Sequence, residues 1–165
     1  MPPTLVSDSS VLFDLEHGGL LTLTMSLPYR FLVSDLLYER ELARYGGEAL
    51  RSLGLSIREL SGEEIEVIQE LASRERRISI ADASILFLAE RDRFTLLVGD
   101  AALRAVAESR GIECHGVLWV LDELERQGLA TLSALLEALS LIAGDRRCRL
   151  PRAEIESRLK RYSRE

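Results

Sequence analysis

Four acidic residues carry the chemistry that the sequence suggests: Asp8, Glu39, Asp82 and Asp100. Asp8 follows the apolar run Leu5-Val6-Ser7. Asp82 opens a segment rich in Ala, Ile, Leu and Phe that extends to Ala89. Asp100 closes the uncharged stretch from Thr95 to Gly99. An ionised carboxylate in such company needs a cap, a partner cation or a metal. Each acid has a plain structural reading as well. Asp8 suits a turn or cap at a strand end, Asp82 completes a capping box with Ser79, and Asp100 caps the helix that Ala101 begins. Glu39 lies four residues beyond Asp35 on one helix face and points back toward the helix start. Asp35 is most simply an N-cap. Glu41, about half a turn round, is the rival to Glu39 and reads as solvated.

Taken together, the acids suggest more than caps. Thr4 to Ser7, Arg30 to Val33, Leu55 to Glu59, Thr95 to Val98 and Ile112 to His115 read as strands. Between them lie helical stretches: Val11–Glu16 after Ser9 or Ser10, Ser34 or Asp35 to about Tyr45, Ser61 to Arg74, a helix opened by Ser79, and Ala101 to Arg110. Leu20 to Leu27 is ambiguous between helix and strand. Leu118 to Arg126, Leu132 to Ala143 and a last helix led by Pro151 complete the chain, and no linker divides it. Alternating strands and helices predict an α/β fold, a parallel sheet with helices on both faces. Ligands bind such sheets at the carboxyl ends of the strands. Asp8, Glu39 and Asp100 fall at or just beyond those ends, and Asp82 opens the helix feeding the fourth strand. Carboxylates crowded on one rim repel and raise one another's pKa. A hard divalent cation, Mg²⁺ or Mn²⁺, relieves that cost, activates water and neutralises a phosphoryl oxygen. The chemistry is phosphodiester hydrolysis.

Composition narrows the alternatives. The 165 residues allow one domain with a sizeable core. A net charge of −6 disfavours indiscriminate duplex binding. No apolar run reaches a membrane span and no charged segment precedes Leu5, so neither a membrane nor a secretory signal is expected. Cys114 and Cys148 lack metal-ligand spacing and read as reduced thiols of a cytoplasmic protein. There is no phosphate loop, His17 and His115 lack ligand spacing, and Trp119 reads as core. Aromatic residues are 5%, so no base-stacking platform is evident. The tail from Asp145 to Glu165 holds eight basic residues against four acids, with Arg146, Arg147, Arg149 and Arg152 close together. It reads as a solvated helix end or, more sharply, as a phosphate- or partner-contacting edge.

The ordered set of motifs resembles the PIN domain family. Val6 to Leu12 resembles its opening, Phe31 to Glu39 the segment of its helical glutamate, Ile80 to Ala89 its third acid motif, Leu96 to Arg104 its fourth, and Gly111 to Leu118 its closing strand. The match runs over roughly residues 4 to 125. Val98 stands where the family often has Thr. Arg40 follows Glu39 where an aliphatic residue is usual, which leaves Glu39 and Glu41 both open.

The resemblance implies a three-layer α/β/α fold with a central, mostly parallel sheet. The core would span about 4–128, with a helical extension over about 130–165 that positions RNA, receives a partner or builds a dimer. It implies a Mg²⁺- or Mn²⁺-dependent ribonuclease cleaving single-stranded or structured RNA. In such an enzyme Asp8, Asp82 and Asp100 hold the metal and Glu39 joins them as a further ligand or base. Many small members are VapC-type toxins, so an antitoxin protein and a homodimer are the expected partners. The alternatives are a catalytically inert PIN-like module that binds RNA or protein, and a phosphatase-like fold. The latter wants an acid at position 10, which is Ser.

Overall fold

A computed structural model of the chain describes residues 2–164; Met1 and Glu165, the last residue of the expected extension, lie outside them. The core is a five-stranded, all-parallel sheet in the order β3-β2-β1-β4-β5. Its strands are β1 (Thr4–Ser7), β2 (Arg30–Ser34), β3 (Ser56–Arg58), β4 (Thr95–Leu97) and β5 (Cys114–His115). Central β1 pairs Val6 with Leu32 on one side and with Leu96 on the other. Those positions are fully buried, which is why the central strands read as apolar runs without alternation.

Helices cover both faces, giving three α/β/α layers. Helices α1 (Ser9–His17), α2 (Leu21–Met25) and α8 (Val117–Arg126) pack together, and α9 (Leu132–Gly144) lies against α1 and α8. Helix α6 (Ile80–Asp92) crosses β1, β2 and β4, with α3 (Asp35–Leu37) and α5 (Gly62–Arg74) packed on it. It buries Ala81, Ala83, Ile85, Leu86, Leu88 and Ala89, so it is apolar around most of its circumference, as a helix covered on every side must be. Helix α7 (Ala101–Ser109) packs on β5.

Several local expectations change. Leu20 to Leu27 is helical (α2). The helix expected to run to Tyr45 breaks after α3 into a π-helical turn, Tyr38–Leu42, closed by the Ala43 N–H donating to the Tyr38 carbonyl at 2.8 Å. Gly46-Gly47 does not end structure there but begins α4 (Gly47–Leu53). Gly46 takes a left-handed φ of 86°, which glycine adopts without strain. A Cβ at Gly47 would meet the Leu42 carbonyl at 2.8 Å. Asp8, not Ser9 or Ser10, caps α1, and Ser34 rather than Asp35 caps α3.

The last helices join the core. Leu135, Leu139 and Ile142 of α9 are buried, and α10 (Arg152–Tyr162) packs on α9 through buried Ile155 and Tyr162. Pro151 is the N-cap of α10 rather than its first helical residue. Four of the eight basic residues of the tail are paired with carboxylates of the described residues. Arg158 makes a two-pronged bond to Asp122 at 2.7 and 3.0 Å, and Arg161 reaches Asp122 and Glu125 on α8. Arg147 pairs with Asp145 and Arg152 with Glu156, while Arg146 and Arg149 are exposed without a carboxylate partner among the described residues. Both cysteines are free thiols, and no described helix is long and apolar enough to cross a membrane.

Candidate active site

The carboxyl ends of β1, β2 and β4 form a polar rim on an apolar core. Ser7, Asp8, Ser9, Ser34 and Ser84 are buried there. Buried polar groups need partners, and these have them. The Ser34 and Ser84 hydroxyls meet at 2.6 Å, and the Ser84 hydroxyl also bonds the Ala81 carbonyl. The Ser7 hydroxyl donates to the Asp8 carbonyl at 2.8 Å.

Asp8 lies at the centre, 3% exposed. β1 delivers its backbone, whose N–H donates to the Leu97 carbonyl of β4 at 2.9 Å. Its side chain accepts from the Val11 N–H at 2.9 Å, capping α1, and from the Gly99 N–H at 2.7 Å. That second bond needs close approach: a Cβ on Gly99 would meet the Ser10 Cβ at 3.0 Å. Burial pushes the Asp8 carboxyl up to about 6 against the pull of these N–H donors, and the charge of Asp82 adds to the rise.

Asp82, half-buried, forms the expected capping box. The Ser79 hydroxyl accepts from the Asp82 N–H at 3.0 Å, and the Asp82 carboxylate accepts from the Ser79 N–H at 3.2 Å. Its pKa is raised by burial first, and then by the charge of Asp100. Asp100 is exposed and caps α7 through long bonds from the Ala102 and Leu103 N–H groups, at 3.3 and 3.4 Å. Three helix N-termini therefore open onto this rim, each with a carboxylate at its mouth. A carboxylate that caps a helix keeps lone pairs for another ligand, so the cap and the ligand role are compatible.

The fourth acid falls on the π-helical turn. Glu39 is exposed and makes no hydrogen bond among the described residues. Glu41 instead accepts from the Ser9 hydroxyl at 2.5 Å, which ties it to the residue next to Asp8. Residues two apart on a helical turn project about half a turn from each other; Glu39 is exposed while Glu41 reaches Ser9. The sequence held a signal for Glu41: an aliphatic residue, Leu42, follows it. Sequence reasoning also missed Ser9 as the holder of that acid, and the buried serine pair of β2 and α6.

The donor chemistry suits a hard divalent cation. The donors are oxygens, and none of Asp8, Asp82 or Asp100 has a basic side chain at ion-pairing distance among the described residues. The side chains are not drawn into one ligand cluster, however. Among the described residues no three of His, Cys, Asp or Glu are grouped closely enough to hold a metal as they stand.

Comparison with known proteins identifies the family and the fold. A family model described as DUF3368, PIN domain, matches residues 4–164, so it takes in α9 and α10. No curated protein matches the chain. The crystal structure of PAE2754 from Pyrobaculum aerophilum shares the fold, with a TM-score of 0.53 and 19% identity over 77% of this chain and all of that one.

Proposed function

The chain belongs to the PIN domain family, and on that premise we propose that it is a Mg²⁺- or Mn²⁺-dependent endoribonuclease acting on single-stranded or structured RNA. PIN domains are in general nucleases that use divalent metals, which supports the reaction class. The observation that carries the reading is the rim itself: Asp8 is buried with no basic side chain beside it among the described residues, and the charges of Asp82 and Asp100 are felt in turn along the same edge.

In this reading Asp8, Asp82 and Asp100 hold the metal. Bound there, the ion supplies an activated water and neutralises charge on a phosphoryl oxygen. The Val11 and Gly99 N–H groups fix the Asp8 carboxylate from two sides. The N-termini of α1, α6 and α7 favour an incoming phosphate. Of the two candidate glutamates we assign the fourth place to Glu41, which Ser9 holds beside Asp8 and which can accept a proton from attacking water; Glu39 is exposed and has no such tie among the described residues. No side-chain nucleophile is required, so water attacks phosphorus in line. The protein acts in the cytoplasm as a homodimeric toxin whose partner is an antitoxin protein, an extension supported by the family resemblance. Growth arrest on expression, relieved by the product of a neighbouring reading frame, tests that extension.

The test of the activity is Asp8→Asn. The variant should stay folded and lose Mn²⁺-dependent cleavage of single-stranded RNA, and unchanged cleavage would remove Asp8 from the mechanism. A second reading is an inert PIN-like module that binds RNA or protein. The absence of a closed ligand cluster among the described residues favours it. That module would bind RNA with no cleavage at any Mn²⁺ concentration.

A further inference from the structure

The end of β5 carries two groups that the acid rim does not use. β5 is the edge strand of the sheet, so no further strand covers it. Its last residue, His115, stacks face to face on Trp119 of α8, with ring centroids 4.3 Å apart and planes within 5°. Tyr29 lies against Trp119 in turn, at 5.7 Å and 51°. The Tyr29 hydroxyl donates to buried Glu123 at 2.7 Å, and Arg126 holds the same carboxylate. Trp119 is thus braced through Tyr29 and Glu123. His115 ends the row of rings; its side chain is 28% exposed, and its Nε2 lies 3.4 Å from the exposed Glu113 carboxylate.

Arg104 comes to the same corner from α7, one turn after Asp100. Its Nη2 donates to the Val98 carbonyl at 3.0 Å, and its nearest carboxylate, Glu108, is 4.0 Å away. A Cβ on Gly116 would lie 3.0 Å from that Nη2, so the guanidinium rests against the chain directly after His115. One short bond leaves most of the five Arg104 donors unused.

We propose that this corner is a nucleotide-binding subsite beside the acid rim, in which a nucleobase stacks on His115 and Arg104 holds a backbone phosphate. The inference rests on the nuclease reading and names its substrate class: a single strand, whose unpaired bases expose their faces. Every base has such a face, so the subsite tolerates sequence. The 5% aromatic content conceals the platform, because two of those few rings, Tyr29 and Trp119, stand together with His115.

The experiment is binding of a mixed-sequence single-stranded RNA of about 15 nucleotides, in chelator so that no cleavage occurs. Anisotropy and the emission of Trp119, the only tryptophan, report it. The single strand should bind and alter Trp119 emission. His115→Ala should weaken binding about tenfold, and His115→Phe should restore it. Arg104→Gln should lower the slope of log affinity on log salt by about one. Equal binding by wild type, His115→Ala and Arg104→Gln overturns the subsite, and so does a wild type that binds no single strand. Cleavage by the wild type with an unchanged KM in His115→Ala leaves the nuclease standing and removes the subsite. Binding that follows the predicted pattern in a protein that never cleaves RNA keeps the subsite and removes the nuclease.

Discussion

Two groups of carboxylates in this molecule are treated in opposite ways. Glu64, on α5, is clasped by Arg58 in a two-pronged bond at 2.6 and 2.8 Å, touches Arg91, and caps its own helix through the Ser61 N–H. The Arg58 bond, aided by the Ser61 N–H, holds its carboxyl down at about 2. Asp8 has N–H donors but no basic side chain beside it among the described residues, and burial pushes its carboxyl up to about 6. The first acid is neutralised by the protein and stabilises it. The second is kept unneutralised at a cost, as expected of a site whose counter-charge arrives from outside.

The strongest way to break this comparison is at Asp8. Asp8→Asn should lower Mn²⁺-dependent RNA cleavage by roughly 100-fold or more, measured at saturating metal with the fold checked by circular dichroism. Glu64→Gln should leave the rate within about threefold, since it touches only structure. Equal losses in the two variants would erase the distinction.

The pH dependence of stability separates them next. The raised pKa of Asp8 means that the native state holds an extra proton between about pH 4 and 6. Its contribution is therefore present below pH 4 and is lost as pH rises through 6, by about 3 kcal/mol at pH 7 and above. In chelator, Asp8→Asn should gain on the wild type by up to that amount between pH 4 and 8 in denaturant melts. A constant difference across that range contradicts the burial account. Glu64 has the opposite sign. Its depressed pKa contributes stability above about pH 4.5 that is lost as pH falls toward 2. Arg58→Ala should therefore cost about 1–2 kcal/mol near pH 7, shrinking as pH falls below 4.5.

The smallest effect concerns Tyr162, whose hydroxyl is buried without a hydrogen-bond partner among the described residues. Tyr162→Phe should leave thermal stability unchanged or raise it by up to about 1 kcal/mol. A loss larger than that would mean that the hydroxyl has a partner.

What could be read in the sequence was what depends on local pattern. The buried strands show as uncharged runs at Leu5-Val6 and Leu96-Leu97, and the caps of α5, α6 and α7 follow from Ser61, Ser79 and Asp100. The rim was legible because each acid closes or opens an apolar element. The π turn was not, because no short-range residue pattern marks its bond from the Ala43 N–H to the Tyr38 carbonyl; the choice between Glu39 and Glu41 stayed open with it. Ser9 or Ser10 would also serve as a cap of α1, but Asp8 takes that place through the Val11 N–H, and the Gly99 N–H, just beyond β4, holds its other oxygen. Of the row of Tyr29, Trp119 and His115, Tyr29 lies far away in the chain, and His115, four residues before Trp119, sits on β5 rather than on the helix of Trp119, so no helical spacing reveals it.

Thermal melting of the wild type and Asp8→Asn across a Mn²⁺ series at pH 7.5 probes the unneutralised rim without needing a substrate. The wild type should melt higher as metal rises, with a gain of about 2.7 kcal/mol at 100 times Kd, and Asp8→Asn should show little or none of it. A folded wild type whose melting point does not move with Mn²⁺, or moves equally in both proteins, contradicts the account.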